Sequence, residues 1–173
     1  MQSEKQQAKE TLLAEADSKR FKSKPMVMVK NPYIDDFLKA CGKRGWLKPQ
    51  YELFTTQCNH QAHNGYIGKE HGHFIVDIGT TSKRAFSMYL QRNIPKAEEN
   101  RFRTVWPTSM NHHLNQMIYI RTKKHGHENP LWTRNESKEV KFKLREIYPY
   151  LHKEHKKETK RFLKLIENAK CTN

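Results

Sequence analysis

Two histidines one residue apart, within Lys69-Glu70-His71-Gly72-His73-Phe74-Ile75-Val76-Asp77-Ile78, have the type and spacing to do chemistry. From residue 71 the segment alternates, with His71, His73, Ile75 and Asp77 on one side and Phe74, Val76 and Ile78 on the other. Period-two alternation ending in β-branched residues predicts a strand with one buried face. Both imidazoles then leave the same side of a sheet, where two neutral rings can share one divalent metal, Mg2+ or Mn2+. A second group is Tyr119 with Lys123, one helical turn apart. Together these suit metal-assisted transesterification of DNA. The ion polarises a scissile phosphate, and the tyrosine hydroxyl attacks phosphorus and becomes linked to the 5′ phosphate. The lysine favours phenolate or neutralises charge developing on the phosphate.

The elements that must position these groups can be read along the chain. Residues 1–24 are charged throughout and helix-prone in the middle, with a narrow apolar stripe at Leu12, Leu13 and Ala16, and they predict a flexible arm or a frayed helix. Met26-Val27-Met28-Val29 predicts a buried strand that Lys30-Asn31-Pro32 stops. Ile34, Phe37, Leu38 and Cys41 have helical spacing, with Asp35 and Asp36 in the first turn and Gly42 and Gly45 ending the helix. Tyr51 to Thr56 reads as a strand, and residues 59–68 as the connection to the His strand. In a hairpin of 51–58 with 71–78, Gln57 or Cys58 lies across from the histidines. Thr80-Thr81-Ser82 offers N-caps for a helix from Lys83 to Arg92, closed by Pro95. A short strand at Phe102 to Trp106 precedes Thr108-Ser109, which caps a helix from Asn111 to about Lys124 carrying Tyr119. From Ser137 the chain reads as helix broken at Pro149, then as a last helix. The polar side of that last helix holds Lys156, Lys157, Lys160 and Arg161.

Composition narrows the partners. Lys and Arg number 33 against 18 Asp and Glu, a formal net charge of +15, with 35% hydrophobic residues. So basic a chain points to nucleic acid before anionic membrane, and no apolar run is long enough to span a bilayer. Beyond the metal site, Lys30, Lys83, Arg84, Arg121 and Lys124 are further candidates for phosphate contact, with the basic residues of the last helix. Three widely separated cysteines give no disulfide framework or zinc finger, which suits a reducing intracellular setting. No phosphate-cradling Gly loop, HExxH or Ser/His/Asp signature occurs.

In three motifs the sequence resembles the HUH endonucleases, and among them the initiators of rolling-circle replication. Met28-Val29-Lys30-Asn31-Pro32 looks like the first motif, and His71-Gly72-His73-Phe74-Ile75-Val76 like the metal-binding second. Met117-Ile118-Tyr119-Ile120-Arg121-Thr122-Lys123-Lys124-His125-Gly126 is similar to the tyrosine helix, with Asn129-Pro130-Leu131-Trp132 like the segment after it. The likeness covers about residues 26 to 132. It implies an α+β fold, a central antiparallel sheet flanked by helices and related to the RNA-recognition fold. The nuclease domain would span 25–134, with a basic helical extension at 135–173. It further implies Tyr119 as nucleophile, Lys123 as its helper, His71 and His73 as metal ligands, and single-stranded DNA or an origin hairpin as partner. A second copy of the chain or a separate helicase would complete the assembly, in a host nucleus for a eukaryotic virus and otherwise in cytoplasm. The third ligand is commonly a polar residue on the neighbouring strand; Gln57 fits the hairpin register best, with Glu52 and His60 behind it. The chain departs from the family at Gly72, where a hydrophobic residue is usual, and at Lys123, four rather than three residues after the tyrosine. It also shows no Walker motif of a fused helicase. Two other readings stand beside this one: a non-catalytic nucleic-acid-binding protein, and a homing-endonuclease-type nuclease, whose acidic metal-binding helix is missing.

Overall fold

The structure is a computed structural model of the chain. It describes residues 3–58, 71–95, 100–122, 131–133, 135–144 and 146, with the backbone alone at 57 and 58. The elements in chain order are α1 (Glu4–Ser18), β1 (Met26–Lys30), α2 (Ile34–Lys43), β2 (Thr56–Cys58), β3 (His71–Ile75), α3 (Lys83–Asn93), β4 (Phe102–Val105) and α4 (Met110–Ile120). Residues 135–144 form a further helix. The chain divides into two compact units, Lys22–Pro107 and the combination of Met1–Phe21 with Thr108–Asn173.

The Lys22–Pro107 unit is α+β. Its four strands form one antiparallel sheet in the order β2-β3-β1-β4, so the two central strands are β3 and β1. β1 alternates about its axis: Val27 and Val29 join Phe74 of β3 and Ile34, Phe37, Phe86 and Leu90 of α2 and α3 in one buried cluster. Those helices therefore pack on the Val27/Phe74 face, which leaves His71 and His73 on the other. Helix ends follow local chemistry. The Ser82 hydroxyl accepts from the Ala85 N–H to start α3, and Gly45, at φ 68°, reverses the chain after α2.

Gly72 has a packing reason. A Cβ there would lie 2.6 Å from the Phe74 ring and 3.1 Å from Ile34 Cδ1. The Phe74 ring folds back along its own strand and covers the space a side chain at 72 would take. We expect Gly72→Val to cost about 1–3 kcal/mol by overpacking, read as a lower urea midpoint; an unchanged midpoint would contradict this packing.

Three expectations need correction. Tyr51 to Phe54 is not strand: residues Pro49–Phe54 form a 3-10 helix, and β2 is only Thr56–Cys58. Pro49 opens the turn, and the i,i+3 spacing of Tyr51 and Phe54 buries both. Residues 1–24 are not a solvated arm. Ser3 caps α1, whose Ala8, Leu12, Leu13 and Ala16 are buried, and α1 packs with α4. Nor do residues 25–134 form one domain, since the boundary falls at Pro107 and α4 groups with α1.

Charge pairs reinforce this second unit. His113 Nε2 lies 2.8 Å from Glu15 Oε2, with both side chains buried. Lys5 pairs with Glu136. Burial pushes the Glu136 carboxyl up, but Lys5 and the Thr133 N–H and hydroxyl outweigh it and hold the group below the usual carboxylate range. Because Glu15 is buried, Glu15→Ala should destabilise the protein by about 1–3 kcal/mol in urea unfolding, with Glu15→Gln milder. Equal effects of the two substitutions would show that the Glu15–His113 contact contributes nothing specific.

Candidate metal centre and nucleophile

The site is built on β3, a central strand. His71 and His73 are 1% and 3% exposed, and their Nε2 atoms approach to 3.2 Å with the rings edge to face. Two nitrogens bound to one ion at about 2.1 Å each are about 3.0–3.4 Å apart for octahedral or tetrahedral angles. The observed separation therefore fits a shared divalent ion. It also fits one ring donating Nε2–H to the other.

Strand register identifies the neighbours on this face. On β1, Lys30 stands opposite His71 and Met28 opposite His73. Beyond Met28, Arg103 of β4 continues the row. On β2, Cys58 stands opposite His71 and Thr56 opposite His73, whereas Gln57 stands opposite Gly72. Gln57 thus occupies a position on the reverse face, and the expectation that it completes the ligand set fails on parity. A one-residue change of register exchanges the faces, and a connection of twelve residues, 59–70, does not reveal which register forms. Cys58, the alternative to Gln57 in the expected hairpin, does stand across from His71, and the buried Thr56 is the position that the sequence does not point to. The alternation of β3 projected across the hairpin is the only signal that could have found it.

Glu52, the next ligand candidate, is exposed and lines a cleft of about 320 Å³ with Leu38, Leu47, Tyr51 and Phe74. His60 lies outside the described residues. Among the described residues, no third His, Cys, Asp or Glu joins the histidine pair.

Tyr119 lies half-buried in the last turn of α4, a helix anchored by the buried Leu114, Met117, Ile118 and Ile120. The Ser109 hydroxyl accepts from the His112 N–H at its start. At its end the Thr122 hydroxyl donates to the Tyr119 carbonyl, and residues 121–122 pair with 131–132. Arg121 follows as the C-cap. Burial lowers the basicity of its guanidinium, and the Glu4 carboxylate, 3.7 Å away, partly restores it. Lys123, Lys124, Lys156, Lys157, Lys160 and Arg161 lie outside the described residues. Lys83 and Arg84 are exposed on α3, away from the histidine face.

No protein-family model, curated protein or solved structure matches this chain. No described helix is long and apolar enough to cross a membrane.

Proposed function

We propose that the protein is a metal-dependent tyrosine endonuclease of the HUH type, which nicks and rejoins single-stranded DNA at a replication origin. The observation that carries this reading is the 3.2 Å approach of the His71 and His73 Nε2 atoms on a central strand. Support comes from the strand order. A β-α-β-β-α-β chain with the sheet order β2-β3-β1-β4 is the split βαβ arrangement, shared by the RNA-recognition and HUH folds.

In this reading His71 and His73 would hold the ion, which when bound would supply Lewis-acid polarisation of the scissile phosphate. The Tyr119 hydroxyl would give its proton to solvent water as its oxygen bonds to phosphorus. The bond from phosphorus to the 3′ oxygen breaks, and that oxygen leaves as a hydroxyl after taking a proton. Reversal by a free 3′ hydroxyl rejoins the strand without an outside energy source. Lys30 and Arg103, in register on the histidine face, suit phosphate contact there.

The test uses the purified chain with labelled single strands bearing randomised stem-loops and Mn2+ or Mg2+. The expected product is a denaturation-resistant protein–DNA adduct, lost with EDTA and restored by Mn2+. DNA binding without any adduct would instead support a binding protein that lacks the covalent step.

A further inference from the structure

The helical side of the Lys22–Pro107 unit carries a feature that the proposed chemistry does not use. Four aromatic rings form a continuous ladder through it. Tyr89 meets Trp46 at 5.1 Å between centroids, Trp46 meets Phe86 at 5.2 Å, and Phe86 meets Trp106 at 5.6 Å. A cation sits over each end. The Arg44 guanidinium lies 4.5 Å from the Tyr89 ring centre, and Lys83 Nζ lies 5.1 Å from that of Trp106.

The inner rings are core: Phe86 is fully buried and Trp46 is 5% exposed. The outer rings, Tyr89 and Trp106, are half-buried, and both capping cations are exposed. Gly45 sets one end. Its left-handed backbone, with the Trp46 N–H donating to the Cys41 carbonyl, brings Arg44 and Trp46 to the same side of the α2 terminus. The Tyr89 hydroxyl donates to the Ala40 carbonyl at 2.7 Å and fixes the ring that Arg44 covers.

The two stretches that carry most of the ladder are rich in cations, although Asp77, whose N–H donates to the Trp46 carbonyl, adjoins the second. Residues 37–47 contain Lys39, Lys43 and Arg44, and residues 78–95 contain Lys83, Arg84 and Arg92, with no Asp or Glu in either stretch. All six side chains are exposed. The α2 carboxylates, Asp35 and Asp36, lie in its first turn, at the other end of the helix.

We infer that this α2–α3 face is a binding surface for single-stranded nucleic acid, separate from the histidine face. Exposed cations bind phosphates, and a half-exposed ring capped by a planar guanidinium or an ammonium offers a stacking place for an unpaired base. A lipid surface would instead be met by a row of projecting apolar side chains, and in the two stretches only Leu47 and Met88, 38% and 40% exposed, are large exposed hydrophobics. Duplex DNA presents no unpaired base to stack. The surface works whether or not the covalent step occurs, and so stands apart from the nuclease reading.

The test is a fluorescence and anisotropy titration of the full chain with a labelled fifteen-nucleotide oligothymidylate. EDTA and a Tyr119→Phe background silence the proposed active site. Trp46 and Trp132 are 5% and 1% exposed, so quenching reports on Trp106. We expect quenching on binding, and Arg44→Glu/Lys83→Glu should abolish it and weaken affinity at least about tenfold near 0.1 M salt. Arg44→Lys/Lys83→Arg should restore most of the affinity. Lys19→Glu/Lys22→Glu makes the same change in net charge at two exposed side chains outside both stretches and should weaken binding far less. An equal loss in both charge-reversed proteins would overturn the inference. So would quenching by phosphatidylserine vesicles with none by the oligonucleotide.

Discussion

Replacing Tyr119 by phenylalanine is expected to remove the protein–DNA adduct altogether, a loss of at least about a thousandfold in strand cleavage. The size follows from chemistry. Without the phenolic oxygen no covalent link to the phosphate can form, and water is left as the nucleophile. The half-buried ring keeps its place in α4, where Leu114, Met117, Ile118 and Ile120 provide the buried contacts, so the variant should fold as the parent does. Helix content and urea midpoint check that point. Tyr148 and Tyr150, beside Pro149, are the controls, and their phenylalanine variants should keep the adduct. An adduct that survives Tyr119→Phe and disappears with either control would move the nucleophile to the C-terminal region.

The second large effect belongs to the histidine pair. Each of His71→Gln and His73→Gln should weaken Mn2+ binding at least about a hundredfold and lower adduct yield to match. Loss of a group that merely orients a ligand already costs about 10–100-fold in affinity. Glutamine is preferred to alanine because both positions are buried, and truncation there would open a cavity as well as remove a nitrogen. Binding of single-stranded DNA measured in EDTA should be nearly unchanged. Full Mn2+ affinity in both variants would mean that the 3.2 Å contact is a hydrogen bond between two rings and nothing more.

Much of this arrangement can be read from residue order, and the gaps have physical causes. The alternation of β3, the strand at β1 and the Ser82 cap of α3 are local signals, and each appears where expected. The Ser109 cap of α4 is equally local, but the helix begins one residue earlier than expected. It ends at Ile120, with Arg121 as C-cap, so it does not extend to Lys123 or Lys124 as expected. Gly72 looks like a departure from its motif until the Phe74 ring is seen to cover it, a contact that alternation alone does not reveal. Gln57 is misplaced because hairpin register depends on the connection and not on the strands. The packing of α1 is hidden because its buried side includes Lys9 and Glu15, which hydropathy counts as solvent-facing. Glu15 meets His113, a partner 98 residues away. The ladder from Arg44 to Lys83 joins three separate segments, and no short-range pattern announces it.

The account's central claim is that His71 and His73 bind one divalent ion between them, and imidazole NMR during a Mn2+ titration tests it most directly. Paramagnetic broadening falls steeply with distance, so it locates the ion without reference to activity. At a small fraction of one equivalent, the account predicts that the His71 and His73 ring signals broaden before those of the other eight histidines. Excess Mg2+ should reverse the effect. Broadening that spares His71 and His73, or that touches all histidines alike, would contradict the claim.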